Sequence, residues 1–151
     1  MISVTNNIED IVLCWQEAFG DSREEIVFFV ENSKDCQCLA YYENGKICSM
    51  LFLVDCRIEG KSAKYIYAAC TLNEYKNKGI MTKLLDYTKE KHGTIALIPA
   101  EEWLIDYYMK RGFTNKVRLR DIVFSQCNEI TEYLYEGCTL DEPFALCYIG
   151  G

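Results

Sequence analysis

The sequence has no apolar stretch long enough to span a bilayer, so a membrane-embedded reading drops out. Nor does it carry an excess of basic residues. Its 16 Lys and Arg stand against 23 Asp and Glu, for a formal net charge of −7. Nucleic-acid binding along a broad face needs a basic surface, and this composition excludes it. The Cys-x-x-Cys pair is missing too, which removes the usual zinc and dithiol spacings, so no metal is expected. A single histidine, His92, leaves little scope for a His-activated nucleophile. No linker, internal repeat or low-complexity segment divides the 151 residues, and one domain over 1–151 is expected. Met1 to Asp10 shows neither the basic segment nor the apolar run of a secretory signal.

Cysteine, by contrast, is plentiful. There are nine, an odd number, and Cys14, Cys48, Cys56, Cys70 and Cys147 sit inside apolar runs where a thiol behaves as a small hydrophobe. A chain this long can stabilise itself by core burial without a disulfide framework. The expected compartment is a reducing cytoplasm. Cys36 and Cys38 alternate along a strand and share one face. The acidic balance suits a cationic substrate such as an amine.

Local signals divide the chain cleanly. Asn6 or Asn7 caps a helix over Ile8–Phe19, which Gly20 ends. Asp21 or Ser22 caps a second helix, with Glu25 completing a capping box, and this helix stops near Ser33. Cys38–Tyr42, Ile47–Ile58 and Ala63–Leu72 read as strands, joined at Asn44-Gly45 and Glu59-Gly60 into an antiparallel meander. A helix follows over Ile80–Glu90, with Gly93 as its C-terminal cap. Thr94–Ile98 is a short strand expected to lie parallel to the strand before that helix. Ala100–Arg111 reads as a helix closed by Gly112, and Val117–Phe124 as one strand. Glu129–Leu134 is a turn or short helix, and Phe144–Ile149 a last strand. The fold class is α/β (α+β): a mixed, mostly antiparallel central sheet flanked by helices, in the order ααβββαβαβ(β). Trp15 and Trp103 fit apolar helix faces, and His92 reads as a charge near a helix C-terminus. Tyr65 and Tyr67 share one strand face, where they pack or line a cleft.

The stretch from Tyr75 to Leu85 carries the most chemistry. A strand runs into a short basic loop, and a single glycine, Gly79, opens a helix. The first helical turn has N–H groups without intrahelical partners, which can point at an anion. Lys76, Lys78 and Lys83 concentrate positive charge where the helix dipole disfavours it, which makes sense if an anion binds there. The residues alone leave two readings open: a phosphate cradle or an ordinary basic helix start. A Walker A loop is excluded, because Gly79 is not followed by Lys-Ser or Lys-Thr.

Two motifs resemble the GNAT superfamily of acyl-CoA-dependent N-acyltransferases. The family loop is Arg or Gln, two variable residues, Gly, one variable residue, then Gly or Ala; here it reads Lys76-Asn77-Lys78-Gly79-Ile80-Met81. Asn73-Glu74-Tyr75 stands where many members have Pro-Glu-Tyr. The second signature, an aromatic-Tyr-x-x-x-Gly-Phe helix end, reads Tyr107-Tyr108-Met109-Lys110-Arg111-Gly112-Phe113. The likeness covers roughly residues 1 to 125. Lys76 and Met81 depart from the loop pattern. Gly-Ile-Met and the run from Pro99 to Phe113 resemble the Eis-type subgroup, whose longer members carry further domains.

The resemblance implies acetyl-CoA as cosubstrate and direct transfer of its acetyl group to an amine of a small molecule or peptide. It implies that the backbone from Lys76 to Thr82 (Lys76, Asn77, Lys78, Gly79, Ile80, Met81, Thr82) holds the pyrophosphate. The strand backbone near Cys70, Thr71 and Leu72 would pair with the pantetheine arm. Tyr108 would be the general acid to the departing thiolate; its other reading is a core aromatic, and Tyr107 is the weaker candidate. Glu31, Asp55, Glu74 and Glu101 are candidate bases, each more readily read as a solvated surface charge. The last strand is a candidate homodimer edge. The alternative from a different class is a non-catalytic acyl-CoA-binding or interaction module on the same fold.

Overall fold

The computed structural model describes residues 1–136 and 138–150. In chain order the elements are β1 (Ile2–Thr5), α1 (Ile8–Phe19), α2 (Arg23–Asn32), β2 (Cys36–Glu43), β3 (Lys46–Ile58), β4 (Lys61–Thr71), α3 (Ile80–Lys91), β5 (Thr94–Leu97), α4 (Glu102–Met109), β6 (Asn115–Val117), β7 (Ile122–Phe124), α5 (Asn128–Tyr135) and β8 (Ala145–Ile149). The strands form one mixed sheet in the order β1-β2-β3-β4-β5-β8-β6, with β7 added against β3. Every pairing is antiparallel except β4 with β5.

Local chemistry sets these boundaries. Asn7 caps α1 by accepting from the Asp10 N–H at 3.1 Å, and Gly20 closes it at φ 74 with its N–H on Gln16 O. Ser22 and Glu25 bond reciprocally at the start of α2 (3.0 and 3.1 Å). Both hairpin turns place two successive residues at positive φ: Asn44 and Gly45 (51° and 76°), then Glu59 and Gly60 (51° and 81°). Such turns match the twist of the strands they join.

The sheet buries both faces. On one, α1, α2 and α5 pack over Met50, Phe52, Val54 and Tyr65. Trp15, Phe29, Phe52 and Tyr67 meet there with ring centroids 5.0–5.7 Å apart. Opposite, α3 and α4 cover Leu51, Leu53, Ile66 and Ile95 with Leu84, Leu85 and Phe113. β3 sits between the two layers, which is why Ile47–Val54 is buried without interruption, Ser49 included.

Five local expectations are corrected. β1 was not expected; its pattern is short, and it exists because the β2 edge pairs with it from Ile2↔Tyr41 to Thr5↔Cys38. The single strand over Val117–Phe124 is two short strands around a 3₁₀ turn at Leu119–Asp121. β3 outruns β2, whose pairing stops at Cys36↔Val54, so its edge at Cys56–Ile58 takes β7 as partner. Gly93 is not a left-handed cap: α3 ends on His92 in an extended conformation. Trp103 is not on a buried face but 64% exposed, with its indole N–H donated to Glu101 Oε2 at 2.6 Å. His92 is also less of a helix-terminal charge than expected, since burial and then Lys64 push its pKa down.

Candidate active site

β4 and β5 hydrogen-bond only over Lys64–Tyr65 and Ile95–Ala96 among the described residues. Beyond that point β4 runs on to Thr71, while β5 ends at Leu97 and is followed by Pro99, which has no N–H to extend a ladder. The parting strands leave a cavity of about 300 Å³ through the sheet, lined by Tyr65–Ala69, Leu97, Ile98 and Tyr108.

Facing that gap, β4 is bulged. Met50 pairs with Cys70 and Phe52 with Tyr67, so Leu51 opposes both Ala68 and Ala69. Ala68 adopts φ +54, a left-handed conformation that costs a non-glycine residue about 1–2 kcal/mol. The bulge takes two successive peptide units out of the β3 ladder where they line the cavity. An Ala-Ala pair inside a strand gives no sequence signal of this.

Tyr108, near the end of α4, lines the same cavity. Burial, reinforced by Tyr107 and opposed by Arg111, pushes its phenol up to about 12. It therefore keeps its proton at neutral pH, and its hydroxyl makes no hydrogen bond among the described residues. Tyr107 stacks edge-on against it at 5.2 Å and turns instead toward Arg111.

The loop at Lys76–Thr82 is shaped by backbone. A 3₁₀ turn at Asn73–Tyr75 follows β4, and the Asn73 N–H is pinned on Glu17 Oε2 of α1 at 2.7 Å. Asn77 and Gly79 both sit at positive φ, 63° and 75°. The first helical bond of α3 runs from Lys83 N–H to Gly79 O at 3.1 Å, and no side chain caps the helix. The N–H groups of Ile80, Met81 and Thr82 are left without helical acceptors. Met81 is partly buried and packs into the α3–α4 core, so its bulk is accommodated there.

Arg111 joins the two parts of the site, and nothing in the linear pattern marked it. Its guanidinium lies 3.5 Å over the Tyr107 ring, donates to Tyr107 O at 2.8 Å, and donates through Nε to Thr82 Oγ1 at 3.2 Å. That fills an acceptor position of Thr82 and leaves its O–H to point elsewhere. With Lys76, Lys78 and Lys83, it gives the α3 N-terminus a fourth nearby cation.

The strand trio sits differently. Cys70 is buried, its thiol directed at Cys14 O (3.6 Å) and its carbonyl accepting from Ser49 Oγ (2.8 Å). Thr71 Oγ1 meets Ser49 Oγ at 2.9 Å, and the Leu72 N–H donates to Cys48 O at 2.9 Å. The β4 residues that line the cavity are Tyr65–Ala69, and Cys70, Thr71 and Leu72 are not among them. Glu31, Asp55, Glu74 and Glu101 do not line the cavity; Asp55 pairs with Lys64 and Glu101 holds Trp103. The carboxylates that do line it are Asp21 and Glu136. No cluster of three His, Cys, Asp or Glu is placed to hold a metal, and no helix is long and apolar enough to cross a membrane, among the described residues.

Solved structures share this architecture. A GNAT family acetyltransferase from Elizabethkingia anophelis, solved with acetyl-CoA bound, superposes with a TM-score of 0.62 at 14% identity, over 99% of this chain and 97% of that one. The IAA acetyltransferase from Bacillus cereus ATCC 14579 gives 0.60 at 14% identity, covering 99% and 98%. A GCN5-related glucosamine N-acetyltransferase region of a fungal multi-domain β-N-acetylglucosaminidase gives 0.63 at 16%, over 78% of this chain. The chain spans only 18% of that fungal protein, and 31% of a probable N-acyltransferase from Enterococcus faecalis V583. Identities this low establish a shared fold. No protein of curated function matches in sequence. The profile of the acetyltransferase (GNAT) domain, however, matches residues 4–115, well over half of the sequence, and the chain accordingly belongs to the GNAT acetyltransferase family.

Proposed function

We propose that this chain, as a single domain over 1–151, is an N-acetyltransferase that uses acetyl-CoA and passes the acetyl group directly to an amine. The observation that carries the reading is the cavity between β4 and β5. It presents an unpartnered phenol, Tyr108, and a bulged backbone, Ala68–Ala69, to one small space. Acetyl-CoA supplies an activated thioester, and the residues present fit it at both ends. The N–H groups of Ile80, Met81 and Thr82, with Lys76, Lys78 and Arg111 beside them, suit a pyrophosphate at the helix N-terminus. Asn77 and Gly79, at positive φ, shape the loop so that its backbone faces that anion.

Each residue then has a definite task. The backbone of Ala68–Ala69 orients the pantetheine end and offers N–H groups to a carbonyl oxygen, a role the sequence reading gave to Cys70, Thr71 and Leu72. Tyr108 holds a proton on its phenol oxygen and donates it as a hydrogen bond to sulfur as negative charge builds there. A free thiol near pKa 8.5 is the stronger acid of the two, so hydrogen-bond donation outweighs full proton transfer. Apolar walls from Ile66, Leu97 and Ile98 keep water from competing with the amine.

Three finer proposals accompany this. The Gly79-Ile80-Met81 loop supports a likeness to the Eis-type subgroup. The free thiols of all nine cysteines suit a reducing cytoplasm. The β8 tail is a candidate homodimer edge. The decisive experiment mixes protein, acetyl-CoA and an amine panel and follows free thiol, with calorimetry for acetyl-CoA alone. Binding with thiol release supports the enzyme. Binding without release under every amine leaves the non-catalytic acyl-CoA-binding module, and no binding removes both.

A further inference from the structure

The mouth of the cavity beneath α1 and α5 is lined by Phe19, Asp21 and Glu136, with Trp15 and Tyr67 behind them. No Lys, Arg or His lines the cavity anywhere among the described residues. Asp21 is held in place: the buried Trp15 indole donates its N–H to Asp21 Oδ2 at 2.7 Å, which fixes the carboxylate and leaves its second oxygen open. Glu136, just past α5, is exposed. Neither forms an ion pair among the described residues. Both charges are felt at one point, the Tyr67 hydroxyl, whose pKa is raised first by burial, then by Asp21 and then by Glu136. The half-buried Tyr108 phenol, without a hydrogen-bond partner among the described residues, belongs to the same space.

Two unpaired carboxylates on an apolar, aromatic wall favour a cation. They do not favour it as the nucleophile. An amine pinned by carboxylates is stabilised as its ammonium, and its lone pair is then bound to a proton. A carboxylate is also a far weaker base than an amine, and so a poor acceptor for an ammonium proton. The two demands are met together if the acceptor carries two nitrogens, one held charged at the mouth and one neutral beside the thioester. Resting on the acetyltransferase reading, we propose that Asp21 and Glu136 form an acceptor subsite for a second, non-reacting cationic group, so that the preferred substrate is a compact diamine. In the transfer itself, the C–N bond to the neutral nitrogen forms as the C–S bond breaks. The sulfur departs as thiolate under the Tyr108 hydrogen bond, and the one proton the nitrogen sheds passes through water to it, giving the thiol.

The test compares three acceptors of equal carbon count: a linear diamine, the monoamine, and the ω-amino acid, which replaces the second cation by an anion. The diamine is expected to exceed the monoamine in kcat/KM by roughly tenfold, the worth of one charge-assisted contact, with the amino acid lower still. Asp21→Asn retains an oxygen for the Trp15 indole, and Glu136→Gln changes an exposed side chain. Each should raise KM for the diamine several-fold while leaving the monoamine unchanged. Equal turnover of all three acceptors by the wild-type protein overturns the subsite while leaving the acetyltransferase reading intact. An equal loss on monoamine and diamine in both variants also overturns it, since that marks a general effect on the fold. Absence of thiol release with every acceptor overturns the acetyltransferase reading, and the subsite with it.

Discussion

The two approaches to the β4–β5 cavity are built from opposite materials. On the α3 side the apparatus is backbone: free N–H groups, two residues at positive φ and a surround of Lys and Arg. On the α1–α5 side it is side chain: two carboxylates on an aromatic wall, with no cation lining the space among the described residues. On the proposed function, the difference follows from what each end would recognise. A pyrophosphate is the same in every acyl-CoA, so a helix terminus and a loop conformation serve, and backbone geometry survives substitution of side chains. An acceptor differs from enzyme to enzyme, so its end is written in residues that change freely. The net charge of −7 therefore hides a local reversal of sign at the α3 N-terminus. Tyr108 stands where the ends meet, and it is the place to break the comparison first.

Tyr108→Phe removes one oxygen and keeps the ring that packs on Phe113 at 6.0 Å. Turnover should fall by about a hundredfold, the lower end of what a positioned acid contributes. Affinity for acetyl-CoA by calorimetry should move less than twofold. A turnover equal to wild type would strip Tyr108 of its role. The pH profile adds a sign. The folded phenol titrates at about 12, above the ordinary value near 10. Its proton is thus in place throughout the working range, and no alkaline limb from Tyr108 should appear in kcat below pH 10. Between the two values the unfolded chain has lost this proton and the folded one has kept it, so this group's contribution to stability declines as pH rises above 10.

Arg111→Ala tests the cationic end alone. Lys89 Nζ donates to the Arg111 carbonyl at 2.7 Å, so the backbone stays anchored when the side chain is cut back. Loss of the guanidinium leaves Thr82 Oγ1 without its donor and should weaken acetyl-CoA binding by about tenfold, with little change in kcat. Arg111→Lys keeps the charge but not the fork, and should fall between the two. Unchanged affinity beside a lowered melting temperature would make Arg111 a packing residue only.

Much of this was legible in the sequence where the cause is local. The cap at Asn7, the Ser22–Glu25 box, both Gly turns and the loop from Lys76 to Thr82 each depend on residues within a few positions of one another. What was not legible depends on distant partners. β1 exists through pairing with Tyr41, Ala40, Leu39 and Cys38. The bulge at Ala68 is set by register against β3, and Ala carries no mark of it. Arg111 meets Thr82 across 29 positions. Asp21 read only as a candidate helix cap, and Glu136 fell between the expected short helix and the last strand, until the fold brought both to one cavity. Trp103 shows the converse error: helical spacing put it on an apolar face, yet it is exposed and its indole N–H goes to Glu101.

The smallest effect separates backbone shape from ligand contact at the cationic end. Gly79 holds φ 75 at the start of α3, and a Cβ added there would meet nothing within 4 Å. Gly79→Ala therefore incurs the left-handed conformation alone, about 1 kcal/mol. In a domain of this size that is a fall of roughly 2–4 °C in melting temperature. If the space beside Gly79 is where the pyrophosphate lies, the new methyl group competes with it, and the rise in melting temperature produced by acetyl-CoA should shrink as well. The two measurements are independent, because the first is made on the free protein and the second is a difference between free and bound. A lower melting temperature with an undiminished acetyl-CoA shift would assign Gly79 to loop geometry and move the anion further along the turn, toward Met81 and Thr82.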